Sequence, residues 1–278
     1  MIQLYYELCN ECSKATTKKY STSFNSAIKL LHPDLRTPVY NIYGFVRFAD
    51  EIVDTFHQFD KKTLLSEFKN ETYNAVERGI SLNPVLNSFQ QTVNTYKIPL
   101  ELIDTFFRSM EMDLSRQNYD TDGYKEYIYG SAEVVGLMCL YIFCEGDRET
   151  YKRLQPFAQA LGAAFQKVNF LRDAQADYVG LSRTYFPGVD FENFTPAIKK
   201  RIEEDIAADF SSAFAGIIKL PSKARFGVYV AYKYYLSLFK KIKRTNAAHV
   251  LSQRIRIPNY GKLFIVAKAG LRMQFNLL

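Results

Sequence analysis

The sequence lacks the features that mark several classes of protein. Among its 278 residues there is no tryptophan, and only four residues are cysteine. No uncharged apolar run approaches about 18 residues, the length at which a membrane-spanning helix is expected. Residues 1–14, MIQLYYELCNECSK, contain acids and no basic stretch, so we predict no secretory signal. With 47% hydrophobic and 23% charged residues, the chain is expected to be globular. Its cysteines are expected to be reduced, which favours a reducing cytoplasm as the compartment.

Two further motifs are absent or incomplete. Cys9 and Cys12 have the C-x-x-C spacing, but no second pair and no nearby histidine completes a zinc site. We therefore predict that they are reduced helix residues, with a redox role as the alternative. The pattern G-x-G occurs nowhere, so the chain has no Rossmann fingerprint for a dinucleotide.

Strand signals are also poor, and helical periodicity dominates. Asp122-Gly123, the only dipeptide typical of a tight hairpin, leads into a helical pattern. The periodicity predicts helices at roughly 3–19, 22–31, 37–57, 61–78, 84–96, 100–116, 123–144, 150–178, 196–218, 222–245 and 262–275. No tandem repeat or linker interrupts them. We therefore predict an all-α fold with one domain over residues 1–278.

Charge is distributed unevenly along the chain. After Asp209 there are 13 Lys and Arg residues and no acid; because the whole chain carries +7, residues 1–209 carry −6. Basic residues in 240–244 and 254–256 are interleaved with apolar residues at helical spacing, which favours an amphipathic surface. A solvated helix face, contact with a membrane surface and nucleic-acid binding remain alternatives, in that order of preference.

Two pairs of aspartates, about 120 residues apart, are the strongest functional signal. Asp50 and Asp54 stand in FADEIVDTF, and Asp173 and Asp177 stand in NFLRDAQAD, both within helical patterns. Residues i and i+4 share a helix face, so each pair aims two carboxylates the same way. Carboxylates are rarely buried unless they are paired or bind metal. Two such helices facing each other would bring four carboxylates together, a site suited to Mg²⁺ ions that hold a diphosphate.

The first acid pair continues a polar stripe along its helix. Steps of three or four residues give Arg36, Tyr40, Tyr43, Arg47, Asp50 and Asp54. Positions off this stripe are apolar and are expected to pack outward against other helices: Ile42, Phe45, Val46, Ile52 and Val53. A polar stripe on an apolar helix is either its solvent face or the wall of a cavity, and the two tyrosines favour the cavity.

The second acid pair has a similar stripe. It comprises Gly162, Gln166, Asn169, Asp173 and Asp177, between apolar residues such as Phe165 and Val168, with Arg172 beside the acids. For either helix alone a salt-bridged surface is a fair alternative. The two together favour a metal–diphosphate site in which Arg47 and Arg172 are donors to the diphosphate rather than members of internal ion pairs.

Such a cavity suits the ionisation of an allylic diphosphate. The leaving group must be neutralised, which metal ions and arginines do. The carbocation left behind needs an apolar and aromatic pocket that excludes water. The 20 tyrosines and 22 phenylalanines can line such a pocket, although most of them are expected to be ordinary core.

Along nearly its whole length the sequence resembles the squalene/phytoene synthase family, the head-to-head prenyl-condensing enzymes. The resemblance begins with the S-x-S-F and A-x-x-L-L patterns of Ser21, Ser23, Phe24, Ala27, Leu30 and Leu31. It continues through the first acid helix, through GSAEVVGLM at 130–138 with Tyr127 and Tyr129, and through LGAAFQKVNFLRDAQAD at 161–177 and Arg183–Pro187. Several motifs in the right order are specific, whereas any one of them alone is not.

The resemblance implies an isoprenoid-synthase helical bundle with a central cavity, Mg²⁺ as cofactor (Mn²⁺ being possible) and no use of NADPH. It implies metal ligands at Asp50, Asp54, Asn169, Asp173 and Asp177. It implies diphosphate or substrate contacts at Ser21, Tyr43, Arg47, Gln166, Asn169, Arg172, Tyr235 and Arg254. Tyr127 and Tyr235 are similar to family tyrosines that assist ionisation or rearrangement, and Tyr127 joins the four aspartates as a catalytic residue.

The sequence departs from the family pattern at two positions. Glu133 stands where the family usually has glycine, in a helix expected to line the cavity. Ala176 replaces the usual acid before the last aspartate of the second motif. Neither change removes a residue assigned to metal, but Glu133 bears on the shape of the pocket.

Within the family, the sequence is most like bacterial phytoene synthases. The first motif has the D-E-x-V-D form, and Ile28 is not aromatic, which favours a deep cavity. The implied reaction joins two geranylgeranyl diphosphates through a cyclopropyl diphosphate to phytoene. Squalene or dehydrosqualene synthesis from two farnesyl diphosphates is the alternative, and the missing Rossmann fingerprint disfavours NADPH only weakly because squalene synthases lack it too.

Other functional classes explain less of the sequence. A head-to-tail elongase or a terpene cyclase would lack the S-x-S-F and Y-x-Y segments, and a helical assembly factor of the same superfamily would tend to lose the acids and arginines. A nucleic-acid binder leaves the acid pairs unexplained, so we expect no nucleic-acid partner. We expect a prenyl diphosphate substrate and a cytoplasmic protein with peripheral membrane contact through its basic C-terminal part.

Overall fold

The computed structural model of the chain describes residues 1–115, 118–181, 185–189, 194–252 and 254–274, and only the backbone of 175–181, 259–260 and 273–274. The α-helices of these residues are α1 Ile2–Tyr20, α2 Thr22–Ile28, α3 Pro33–Asp54, α4 Lys61–Arg78, α5 Pro84–Tyr96, α6 Leu100–Ser115, α7 Thr121–Ile128, α8 Val134–Cys144, α9 Arg148–Leu181, α10 Pro196–Ile217, α11 Ser222–Arg244, α12 Ala247–Val250 and α13 Asn259–Gln274. A π-helical turn, Tyr129–Glu133, joins α7 to α8. The described residues form no β-strand, which confirms the predicted all-α class.

Helix boundaries follow local signals in the sequence. The side chain of Asn83 accepts hydrogen bonds from the backbone N–H groups of Val85 and Leu86 at the start of α5, where Pro84 occupies the first position. Asparagine caps and proline at the first position both favour this geometry. At the end of α4, Gly79 has φ = 72°, the left-handed conformation that glycine adopts at little cost.

Several helix boundaries differ from the prediction by about three or four residues, and the predicted helix 123–144 is divided by the π-helical turn. The first acid helix, α3, begins at Pro33 rather than near residue 37, and it contains Pro38. A proline within a helix removes one hydrogen bond, but Pro38 is buried, and packing around α3 outweighs that loss. The short α12 was not predicted, since four residues carry no periodicity. The prediction of one domain stays a prediction.

The core is built around α3. This helix packs against α1, α4, α5, α6 and α8, so that its apolar residues are enclosed. Phe45 stacks on Phe89 of α5 with ring centroids 3.8 Å apart and meets Phe107 of α6 edge-on at 5.6 Å. Burial of such aromatic side chains supplies much of the favourable free energy of folding. The second acid helix, α9, packs against α8, α10, α11 and the π-helical turn.

The helical stretch Thr121–Cys144 is the one segment of the described residues that is long and apolar enough to cross a membrane, by length and composition alone. More than half of it, 56%, is buried inside the protein. Buried core helices pass the same test, so this stretch is weak evidence for a membrane span.

All four cysteines are free thiols, and Cys9 and Cys12 lie on α1, as the predicted helix requires. Cys9 is buried on α1 and accepts a hydrogen bond from the Asn87 amide at 3.3 Å. Burial raises the pKa of Cys12, and it raises the pKa of Cys139 to about 12, so neither thiol is activated as a thiolate.

A close contact between α9 and the π-helical turn depends on Gly162. A Cβ atom at this position would lie 2.6 Å from the carbonyl oxygen of Ala132 and 3.0 Å from the Cα of Glu133. Both atoms belong to the backbone and cannot rotate away. The absence of a side chain at Gly162 therefore sets how near α9 approaches the turn.

We expect Gly162→Ala to lower the free energy of unfolding by about 1–3 kcal/mol, because the added methyl group overpacks this contact. Urea unfolding followed by circular dichroism measures the change. Gly270→Ala is the matched control, since its Cβ would meet only Phe226 Cζ, at 3.9 Å. The control should be neutral or more stable by up to about 1 kcal/mol because alanine favours helix. Equal stability of the two variants would contradict the overpacking at Gly162.

Candidate active site

A cavity of about 510 Å³ lies between α2, α3, α6, α8, α9, α10 and α11. Its wall changes character along the two acid helices. On α3 it begins with Val39 and Ile42 and ends with Asp50 and Asp54, a rise of about 20 Å at 1.5 Å per residue. On α9 it runs likewise from apolar residues to acids. The cavity therefore has a polar end, at the C-terminal halves of both helices, and an apolar body.

Nearly all the predicted site residues lie on this cavity. Its lining includes Ser21, Tyr43, Arg47, Asp50, Asp54, Tyr127, Gln166, Asn169, Arg172, Asp173, Tyr235 and Arg254. The side chain of Asp177 lies outside the described residues, as do Arg183 and Thr184. The structure thus brings the residues together, while their roles in binding and catalysis stay predictions.

Fewer polar residues of α3 line the cavity than predicted, and some of its apolar residues line the cavity as well. Arg36 donates to the backbone carbonyl of Leu31, and Tyr40 donates to the side chain of Asn25, so neither lines the cavity. The prediction that Ile42 and Val46 pack outward is wrong, because both line the cavity. Other helices enclose α3 on most sides, and the cavity lies among them. Apolar side chains that lie between the polar positions of α3 therefore also line the cavity.

The surroundings of the first acid pair, Asp50 and Asp54, disfavour the ionised form of Asp50. Burial and the nearby carboxylate of Asp54 raise the pKa of Asp50 to about 7, while the positive charge of Arg47 acts in the opposite direction. The Arg47 Nη1 atom is 3.9 Å from Asp50 Oδ2. A cation placed beside these two carboxylates would lower the cost of ionising both.

Both predicted diphosphate donors take part in internal ion pairs, which corrects the prediction that they do not. Arg47 pairs with Glu51 one turn along α3, and its guanidinium lies 4.3 Å from the ring centre of Tyr20. Arg172 Nε donates to the carboxylate of its neighbour Asp173 at 3.1 Å. The Nε atom of Arg47 is nevertheless buried without a hydrogen-bond partner, so one donor at the polar end is unused.

The second acid helix brings its polar groups to the same end. Asp173 accepts a hydrogen bond from Arg172 and forms an ion pair with Arg254, whose Nε atom is 2.8 Å from Asp173 Oδ1. Asn169 Oδ1 is buried without a hydrogen-bond partner. Burial raises the pKa of Tyr235, and its interactions with Arg172 and Asn169 oppose that rise. An unpartnered buried carbonyl oxygen is costly unless a ligand satisfies it. It is also the type of oxygen that Mg²⁺ binds.

Among the described side chains, no three His, Cys, Asp or Glu residues lie close enough together to hold a metal ion. Four of the five predicted metal ligands line the cavity at its polar end: Asp50, Asp54, Asn169 and Asp173. The side chain of the fifth, Asp177, lies outside the described residues. The oxygen-only chemistry of this set fits Mg²⁺ or Mn²⁺, which prefer carboxylate and carbonyl ligands.

Aromatic rings surround the cavity below its polar end. Tyr235 stacks on Phe165 with centroids 3.9 Å apart, and Phe24 lies 5.7 Å from Tyr235 and 5.8 Å from Tyr43. Burial raises the pKa of Tyr43 to about 12, so its hydroxyl stays protonated near neutral pH. This arrangement places aromatic rings, whose faces attract cations, next to the arginines and acids of the polar end.

Sequence reasoning missed Asp113, a buried carboxylate of α6 that also lines the cavity. It accepts hydrogen bonds from Tyr127 at 2.6 Å and from Tyr119 at 3.4 Å. The signal was available: Asp113 falls in the apolar stripe of α6 with Phe106 and Met110, and an acid in such a stripe is rarely without a partner. Burial, and next the charge of Asp113, raise the pKa of Tyr127 well above its usual value.

Glu133 does not enter the cavity. The π-helical turn presents Ser131 and Ala132 to the cavity, and Glu133 instead accepts a hydrogen bond from Gln159 of α9 at 3.0 Å. Burial raises the pKa of Glu133. The departure from the family pattern therefore changes a contact between helices and leaves the cavity wall unaltered.

We expect the bond between Asp113 and Tyr127 to stabilise the fold. Asp113→Ala should cost about 1–3 kcal/mol, because it removes the carboxylate that accepts the hydrogen bond of the buried Tyr127 phenol. In a double-mutant cycle with Tyr127→Phe, the coupling energy should reach about 0.5 kcal/mol or more. Urea unfolding of the four proteins measures it. Tyr124→Phe is the control, since the buried Tyr124 hydroxyl has no hydrogen-bond partner and its loss should cost nothing. Strict additivity of the two changes would contradict the bond.

Relatives were found both by sequence and by fold. A phytoene synthase of Arthrospira platensis is 27% identical, over 96% of this chain and 93% of that protein. A 15-cis-phytoene synthase of a Synechocystis species is 26% identical, over 97% and 85%. A solved dehydrosqualene synthase in complex with ligand covers 97% of this chain and 98% of its own, with a TM-score of 0.81 at 19% identity. A squalene synthase of Alicyclobacillus acidocaldarius has a TM-score of 0.73 at 22% identity, covering 88% and 95%.

The structural likeness confirms the predicted isoprenoid-synthase helical fold. The family model described as squalene/phytoene synthase matches residues 17–261, a range that includes both acid helices and every cavity-lining residue named above. This chain therefore belongs to the squalene/phytoene synthase family and is a prenyltransferase.

Proposed function

We propose that this enzyme condenses two geranylgeranyl diphosphates head to head, through a cyclopropyl diphosphate, to phytoene and two diphosphates. One observation carries the proposal: a polar end with carboxylates and arginines opens directly into an apolar, aromatic-lined body. That division matches a prenyl diphosphate, whose head is anionic and whose tail is hydrocarbon. The reaction ends in proton loss and requires no reductant, so NADPH has no part in it.

The side chains of the polar end would bind the diphosphate heads. Arg47, Arg172 and Arg254 supply guanidinium groups that can hold phosphate oxygens and stabilise the negative charge of the leaving group. Asp50, Asp54, Asn169, Asp173 and Asp177 would hold Mg²⁺. When bound, the metal neutralises charge on the departing diphosphate. Ser21, Tyr43 and Gln166 are close enough to this end to orient the heads.

The apolar body would hold the tails and exclude water from the carbocations. Phe24, Phe165 and Tyr235 present aromatic surface beside the place where the allyl cation forms. Tyr127 is held by Asp113 at 2.6 Å, which fixes its ring and keeps its phenol protonated. We propose that it supports the rearrangement by orienting the intermediate, since a group whose position is fixed costs little reorganisation in the transition state.

The choice of C20 substrates rests on two observations. The relatives from Arthrospira and Synechocystis that match along most of the chain are phytoene synthases. In addition, Ile28 lines the cavity, where an aromatic side chain would shorten it. Condensation of two C15 substrates is the second candidate, because the solved structures with the same fold are a dehydrosqualene synthase and a squalene synthase. We further propose that the enzyme acts in the cytoplasm.

The direct test is incubation of purified enzyme and Mg²⁺ with C20 and, separately, C15 prenyl diphosphate, with and without NADPH. We expect a C40 triene from the C20 substrate without NADPH, identified by mass spectrometry of the extracted lipid. A C30 product from the C15 substrate, with none from C20, would overturn the assignment in favour of squalene or dehydrosqualene synthesis. The dependence on NADPH would then distinguish those two products.

We expect Asp50→Asn to abolish binding of Mg²⁺ with diphosphate and to lower kcat by about 100-fold or more, the size of effect seen when one group that stabilises developing charge is removed. Binding is measured as the rise in Tm on adding Mg²⁺ and inorganic diphosphate. Asp34→Asn is the matched control on α3, because the Asp34 side chain is 64% exposed and lies outside the cavity.

Without ligand, Asp50→Asn should be at least as stable as the wild type, since it removes a partly buried charge next to Asp54. This readout separates loss of the site from loss of the fold. A Tm rise that is equal in wild type and Asp50→Asn would contradict the assignment of Asp50 to the metal–diphosphate site.

A further inference from the structure

The outer face of α13 carries large apolar side chains in contact with solvent. Leu263, Phe264 and Leu271 are 73%, 69% and 58% exposed. On a helix these positions, with the exposed Ala267 between them, form one continuous arc of about 100°. The opposite face is already used, because Ala269 is buried and α13 packs on α11. The exposed arc is therefore a second apolar face that the described residues leave uncovered.

Basic side chains border one edge of this arc. Lys268 and Arg272 follow Phe264 at successive turns, and both are exposed. Both act on Lys233 of α11: burial and the like charges of Arg272, Lys240 and Lys268 lower the pKa of Lys233. Within the described ranges, none of the four forms an ion pair with a carboxylate. The sequence also offers no acid after Asp209 to neutralise them.

The start of α13 is tied to the polar end of the cavity. Lys262, in its first turn, donates to the hydroxyl of Thr22, the residue after the cavity-lining Ser21. The preceding segment includes Arg254, whose Nε atom is 2.8 Å from Asp173 Oδ1. A surface that contacts the outer face of α13 would therefore lie close to the polar end of the cavity.

We propose that the outer face of α13 docks on an anionic lipid bilayer, with Leu263, Phe264 and Leu271 inserted at the interface and Lys268 and Arg272 on the headgroups. An apolar arc flanked by cations on one helix is the pattern of helices that lie in the membrane interface. The uncompensated positive charge of the neighbouring α11 adds attraction to an anionic surface.

The charges disfavour a second copy of the chain as the occupant. In a two-fold dimer through this face, Lys268 and Arg272 of each copy would approach the same residues of the other. Like charges placed together across an interface oppose association. An anionic bilayer instead satisfies both the apolar arc and its basic border.

Docking would bring the cavity next to the phase in which hydrocarbon chains dissolve. In this respect the proposal rests on the proposed function, since a prenyl substrate and its product partition into lipid. Vesicle binding is nevertheless measured without substrate, so failure of the docking and failure of the proposed reaction are distinguishable.

The test is flotation of the full chain with vesicles of phosphatidylcholine alone and with vesicles that also contain phosphatidylglycerol. We expect binding only to the anionic vesicles, weakened by salt. The triple variant Leu263→Ser, Phe264→Ser, Leu271→Ser and the double variant Lys268→Glu, Arg272→Glu should each bind roughly tenfold more weakly. Far-ultraviolet circular dichroism verifies that the variants are folded.

Matched controls alter similar groups elsewhere. Leu4→Ser with Leu8→Ser removes exposed apolar side chains from α1, which are 71% and 56% exposed. Lys152→Glu with Arg153→Glu reverses two exposed charges on α9. Both controls should bind vesicles like the wild type, and turnover of detergent-dispersed substrate should be unchanged in all four variants. Equal vesicle binding by wild type and the α13 variants would overturn the proposal. So would a dimer in sedimentation that the α13 variants dissociate, since α13 would then serve a second copy.

Discussion

The structure depends on keeping several carboxylates at one end of a buried cavity. Asp50, Asp54, Asp113 and Asp173 all reach this space, where low polarity disfavours negative charge. The protein balances them partly by Arg47, Arg172 and Arg254 and partly by the phenol donors of Tyr119 and Tyr127. The balance is incomplete, as the raised pKa of Asp50 shows. A site of this kind loses stability by itself and recovers it when a cation binds, which is how binding sites commonly trade stability for function.

The helices around the cavity hold these groups in place from behind. On the face of α9 that turns toward α10, Lys167 lies between Asp205 and Asp209 at 2.6 and 2.7 Å, and its side chain is only 10% exposed. Next to it, Gly162 allows α9 to touch the backbone of the π-helical turn. These contacts fix the position and rotation of α9. Asn169, Arg172 and Asp173 gain their orientation from that fixed helix, and side chains on rigid helices are positioned more accurately than those on loops.

The same bundle separates two kinds of surface that a lipid-handling enzyme requires. The inner surface runs from charged groups to aromatic and aliphatic side chains, and it suits a molecule with an anionic head and an apolar tail. The outer surface at α13 repeats that combination of apolar and basic groups, now facing solvent. Lys262 of α13 donates to Thr22, the residue after the cavity-lining Ser21, so α13 itself lies next to the polar end of the cavity.

The sequence by itself determined most of the helices and the two acid pairs, because helical periodicity and i, i+4 spacing are local properties of the chain. Other predicted residues of the cavity, such as Ser21 and Tyr235, came from the family resemblance. Only the tertiary structure decided which faces meet. Asp113 joins Tyr127 across two helices, and Glu133 turns toward Gln159 rather than into the cavity. These outcomes depend on packing between segments far apart in the sequence and on a π-helical turn that alters the direction of the residues after it. Local sequence patterns predict which side chains share one face of a helix. The close packing of the whole bundle decides which other helix that face contacts.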